Sequence, residues 1–144
     1  MADEIMTEAF VYLSHILNRK VYDSRGEQAG KVIDLVANVI EQYPVVTDIV
    51  ITTKDNGRTA FVPWDRFTPR NGHFILNDAG TATFTIRELL DYELLLKDAM
   101  LDKQIVDTDG AKVRRVNDLQ FLKARDSLHL VHVDVGFRGL MRRV

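Results

Sequence analysis

The sequence contains no cysteine among its 144 residues, which excludes disulfide staples, thiolate nucleophiles and cysteine-ligated zinc. A reducing compartment, the cytosol, is the simplest setting for such a chain. No apolar run approaches the roughly 18 residues of a membrane-spanning helix. The opening MADEIMTEAF is acidic, whereas a secretion signal would be basic. A large excess of one charge is also missing: 19 Lys and Arg face 21 Asp and Glu, a balance that argues against a dedicated nucleic-acid binder. What is present is ordinary for a soluble globular chain, with 46% apolar and 28% charged residues. The length suits one compact domain or two very small ones, with enough apolar material for a core. Charge is nonetheless uneven along the chain. Residues 1–95 carry 9 Lys and Arg against 14 Asp and Glu, a net of −5, while 96–144 carry 10 against 7, a net of +3.

An internal repeat organises the rest. Shifting the sequence by 84 positions lays LNRKVYDSRGEQAGKVIDL (17–35) over LDKQIVDTDGAKVRRVNDL (101–119) without a gap. Leu17/Leu101, Asp23/Asp107, Gly26/Gly110, Val32/Val116, Asp34/Asp118 and Leu35/Leu119 are identical, and Ile49 and Ile51 fall over Val133 and Val135. In each copy a short strand (KVYD, QIVD) meets Asp-x-x-Gly, where Asp closes a turn and Gly accepts positive φ. A longer strand returns, with Ile33, Leu35, Ala37 and Val39 on one face in the first copy and Leu119 and Phe121 on the matching face in the second. After turns at Glu41–Pro44 and Arg125–Ser127, VVTDIVITT and LHLVHVDVGF complete a three-stranded antiparallel meander in each copy.

The first copy continues. Lys54-Asp-Asn-Gly57 predicts a hairpin into RTAFVPW, and NGHFIL with ATFTI predicts another about Asn77–Gly80. RELLDYELLLKDAML is the sustained helix-like stretch and predicts one or two helical turns between the copies. The end, FRGLMRRV, has no polar tail, as expected of a piece cut from a longer protein.

YLSHILNRKVYDSRGEQAGKVIDLVA resembles the opening of a PRC-barrel domain, a small β-barrel module. LLLKDAMLDKQIVDTDGAKVRRVNDLQF is similar to the second PRC-type segment of bacterial proteins that continue into MgtE N-terminal and CBS domains, some with a magnesium-transporter membrane region. The resemblance covers about residues 10–140. It implies a mainly β, tandem PRC-type barrel, with a first unit at 10–87 and a helical linker, second unit and start of a C-terminal helix at 88–144. It also implies a cytoplasmic, non-catalytic interaction or regulatory module at the membrane face of a parent transporter. The alternative is an RNA- or ribosome-associated module similar to the RimM family, whose separate N-terminal domain has no counterpart here.

Candidate sites follow from the repeat. Asp23 with Gly26 and Asp107 with Gly110 are read as structural turns. Asp34 and Asp118, inside apolar strands at one repeat position, are candidate binding residues, as are the basic Lys112, Arg114, Arg138 and Arg142. Asp107-Thr-Asp-Gly110 opens like a calcium loop, yet the twelfth position is Asp118 rather than Glu and no helix flanks it. His129 and His132, three apart on one strand, point to opposite faces and form no metal pair; His15 and His73 complete no triad. No catalytic residue, metal or cofactor is assigned. The expected partners are downstream or partner protein domains. The short second copy must complete its sheet either with strands of the first or by homodimerisation, the latter favoured by the apolar linker 88–101.

Overall fold

Runs rich in β-branched and aromatic residues form strands, and the described residues hold eleven of them with two very short helices. The computed structural model describes residues 9–70, 72–77, 84–106 and 113–136. The elements are β1 (Phe10–Tyr12), α1 (Leu13–Ile16), β2 (Lys20–Tyr22), β3 (Gln28–Asn38), β4 (Val45–Thr53) and β5 (Thr59–Pro63). A 3-10 turn at Trp64–Arg66 leads to β6 (Phe67–Arg70), β7 (His73–Leu76), β8 (Glu93–Leu95) and α2 (Leu96–Met100). β9 (Gln104–Val106), β10 (Val113–Ala124) and β11 (Ser127–Gly136) follow. All strands belong to one curled sheet in the order β1-β10-β11-β4-β3-β2-β7-β6, with β5 added to β4, β8 to β3 and β9 to β10. Curling encloses a core of Leu13, Ile16, Val21, Leu35, Ile49, Ile51, Phe74, Leu76, Leu96, Leu119, Phe121 and Leu128, each fully buried side chain contributing about 1.5–3 kcal/mol.

The two meanders are β2-β3-β4 and β9-β10-β11. Their irregularities match as well as their strands. β3 bulges at Ile33, between Val32 and Asp34, and β4 at Thr47, opposite Val36 and Ala37; β10 bulges at Asn117, between Val116 and Asp118, and β11 at Val131, opposite Gln120 and Phe121, each position 84 residues on. α1 and α2 both end where the chain takes positive φ, at Asn18 (69°) and Asp102 (62°), residue types that tolerate the left-handed region. At Val45 and His129, themselves 84 residues apart, β4 and β11 meet antiparallel.

The halves also exchange short strands. β1, from the start of the chain, pairs with β10 (Val11 opposite Phe121), while β8, ahead of the second meander, pairs with β3 (Leu95 opposite Val36). The second meander is thus flanked by strands from the earlier part of the chain, β1 against β10 and β4 against β11.

Two expectations need correction. Ile33 leaves the face of Leu35 and Ala37, because the bulge at 33 inserts one residue and turns it to the outer side, where it packs with Val36, Val50 and Phe61. NGHFIL and ATFTI do not form a hairpin: β7 pairs with β6 on one side and β2 on the other, and Thr85 bridges Phe61. The Pro69-containing RFTPR takes the place expected of ATFTI, which an edge strand permits. The one or two helical turns expected of the linker are α2, Leu96–Met100, and the preceding Glu93–Leu95 is a short strand paired with β3. The turn at 78–80 and the expected C-terminal helix lie outside the described residues.

Candidate functional site

Asp23 stands at the mouth of the first β2-β3 turn. Its Oδ1 accepts backbone N–H groups of Arg25 (2.9 Å) and Glu27 (3.0 Å), and its carbonyl accepts that of Gly26 (3.0 Å). Gly26 has φ of 86° with no heavy atom within 4 Å of where a Cβ would sit. Strain alone is therefore at stake, and Gly26→Val is expected to cost about 1 kcal/mol or more, with Gly26→Asn much milder because Asn tolerates this region. Equal urea midpoints for the two variants would contradict this. The corresponding Asp107 and Gly110 lie outside the described residues, as do Lys112, Arg138 and Arg142.

Asp34 and Asp118 stand at the bulges of β3 and β10, and each reaches across to a helix of the opposite half. Asp34 Oδ1 accepts from Leu35 N (2.7 Å) and Lys97 N (2.7 Å), and Oδ2 from Asp98 N (3.1 Å). Asp118 Oδ1 accepts from Leu119 N (2.8 Å) and Ser14 N (3.1 Å), and Oδ2 from the Ser14 hydroxyl. Neither helix has a capping side chain at its own N-cap, Leu95 or Tyr12, so a distant carboxylate satisfies the exposed N–H groups of the first turn. The two caps are reciprocal: the strand of each half holds the helix of the other. Burial raises the Asp34 carboxyl above its ordinary value, against the pull of its backbone donors.

A third polar cluster carries no signal in the repeat. Arg87 binds Glu93 through two bonds, Nη1 to Oε1 (2.7 Å) and Nη2 to Oε2 (3.1 Å), and Nη2 also reaches Asp48 Oδ1 (3.1 Å). Its guanidinium lies 5.2 Å from the Phe61 ring centre. The cluster fastens the segment around 84–95 over the outer apolar patch of Val36, Val50 and Phe61. Hydrogen bonds from Arg87 hold the Glu93 carboxyl below its usual range. A depressed carboxyl contributes stability that is present above its unfolded pKa and lost as pH falls through the folded one. Wild type is thus expected to lose more stability than Arg87→Met between about pH 6 and pH 3. Parallel loss in the two proteins, by urea unfolding, would contradict it.

Arg114 lies half-buried on β10, opposite Ile105. Trp64 closes the first half, its indole N–H donating to the Asp126 carbonyl (2.9 Å). It lines a shallow cleft of about 330 Å³ with Asp65, Phe67, Asn77, Lys123 and Ser127. Among the described residues no group of three His, Asp or Glu side chains converges as a metal site, and no helix is long and apolar enough to cross a membrane. The structure does not bring Asp23 together with Asp34 or Asp118; each carboxylate serves a separate backbone site.

Comparison with known proteins agrees with this architecture. No curated protein matches the sequence. The family model for the PRC-barrel domain matches residues 8–81, which span β1 to β7 and take in the first meander, its Asp23–Gly26 turn and Asp34. With more than half of the sequence matched and a curled, mainly β sheet to house it, the chain belongs to the PRC-barrel domain family.

Proposed function

We infer that the chain is a non-catalytic interaction and regulatory module built from two PRC-type units, 10–87 and 88–144, which forms the cytoplasmic N-terminal region of an MgtE/CBS-like magnesium-transporter protein. The observation that carries the reading is the reciprocal pair of aspartate caps. Asp34 and Asp118, the residues most like a chemical site in the sequence, spend their oxygens on backbone N–H groups of the opposite half, a use that builds a scaffold rather than a reaction centre. The recurrence of bulges, helix ends and caps at a spacing of 84 residues supports two units of common design. The likeness of LDKQIVDTDG and RVNDL to MgtE-associated segments supports the transporter context.

The test is the reading frame beyond the Val144 codon. Continuation into an MgtE N-terminal domain and a CBS pair is the expected result; a stop codon or an enzyme domain overturns the attachment. In this reading the module holds no magnesium site of its own, so millimolar Mg²⁺ is expected to leave its melting temperature unchanged. A rise of several degrees would require a bound ion.

A further inference from the structure

β2 and β9 hold matching places in the two meanders. Lys20 faces Lys31 and Val21 faces Gly30 on β3; Gln104 faces Arg115 and Ile105 faces Arg114 on β10, in the same register 84 residues on. Their outer edges differ. β2 is covered by β7, which runs parallel to it with Phe74 opposite Val21 and Ile75 opposite Tyr22. Among the described residues no strand lies on the outer edge of β9.

The consequence is visible in burial. Val21 is 0% exposed, whereas Ile105 is 44% exposed and its neighbour Val106 is 62% exposed. Deeper in the sheet, Ile49 and Ile51 are fully buried, while Val133 and Val135, their counterparts on β11, are half-buried. Among the described residues the second half-barrel thus carries an apolar strip and an unpaired strand edge where the first has both covered. Such an edge is a template for strand addition.

We propose that β9 is a docking edge for an extended segment of a partner polypeptide, which adds parallel to it as β7 adds to β2. The first half shows the chemistry required of that segment. β7 turns Phe74 and Leu76 into the core and leaves His73 and Ile75 half-buried. The partner strand therefore alternates apolar with more polar residues and sets a large apolar side chain against Ile105. A second copy of this chain fits less well, because two β9 edges related by a twofold axis pair antiparallel, and three residues on each side leave Val133 and Val135 uncovered. This inference deepens the interaction-module reading and rests on it for the existence of a partner.

The experiment titrates the ¹⁵N-labelled full chain with a synthetic peptide of residues 66–77, the sequence of β6 and β7. Saturable shifts at Gln104–Val106, Val133 and Val135 are expected. Ile105→Lys is expected to weaken binding about tenfold or more, as loss of a central apolar anchor does, while Ile86→Lys, at another exposed apolar position, leaves it unchanged. Absence of shifts, or shifts confined to β2 and its neighbours, overturns the proposal. Dimers in sedimentation velocity that Ile105→Lys dissolves also overturn it, by giving the edge to a second copy. Neither result depends on whether the reading frame continues into a transporter, so failure of the two readings is distinguishable.

Discussion

Asp34→Ala is expected to destabilise the protein by about 2–3 kcal/mol, the scale of lost charge-assisted hydrogen bonds, and to lower its melting temperature by roughly 5–10 °C for a chain of this size. The side chain is 6% exposed and serves three N–H groups on two elements, Leu35 on its own strand and Lys97 and Asp98 on α2. Truncation leaves the first turn of α2 without an acceptor beside a buried cavity. Asp118→Ala is expected to cost less, because Asp118 is half-buried and its partner Ser14 is exposed, so water replaces part of what is lost. The pH dependence has a defined sign. Since burial raises the Asp34 carboxyl, its contribution is fully present below the unfolded pKa and declines as pH rises through the folded one. The gap between wild type and Asp34→Asn therefore narrows from acid toward neutral pH. Thermal unfolding of the alanine variants checks the first claim; an Asp34→Ala protein as stable as wild type would remove the cap from the account.

Gly30→Ala is expected to be at least as damaging, at about 3 kcal/mol, the upper part of the range for overpacking. A Cβ at Gly30 would lie 2.3 Å from the carbonyl oxygen of Thr52 and 3.2 Å from Ile51 Cδ1. The nearer atom is backbone of the neighbouring strand, so relief requires β3 and β4 to part where they are paired. No positive φ is involved; the demand is for space. The second half carries Arg114 at the equivalent place, and Arg114→Gly is expected to change stability far less. Urea midpoints for the two variants decide the matter, and a Gly30→Ala midpoint at the wild-type value would contradict the packing argument.

Local signals made the meanders legible. Asp-x-x-Gly turns and strand alternation act over a few residues, and their recurrence after 84 positions doubled the signal. Bulges escaped because the insertion at Ile33 is written in how β3 meets β4, leaving nothing in the local alternation to mark it. The pairing of β6 with β7 escaped for the opposite reason: the turn residues Asn77–Gly80 spoke more loudly than RFTPR, whose proline argues against a strand unless the strand is an edge. β1 and β8 are three residues each, too short for periodicity, and they exist as strands because distant edges accept them. Asp34 and Asp118 stood out as a recurring pair, yet their partners, 63 and 104 residues away, belong to a geometry that spacing along the chain does not encode. Arg87, Glu93 and Asp48 fall outside the aligned stretch or at unmatched positions, and no motif announced them.

The crossing of β1 to β10 and β8 to β3 also bears on how the chain reaches its native state. During vectorial synthesis β1 emerges first, and it must wait for more than a hundred further residues before Phe121 and Leu122 are available to pair with it. α1 likewise waits for Asp118. Contacts of such high sequence separation slow folding, since their loop-closure entropy is spent before they return any stabilisation. The same threading couples the halves once formed: loosening either one strips a strand and a helix cap from the other, so the sheet opens as a single cooperative unit rather than half by half.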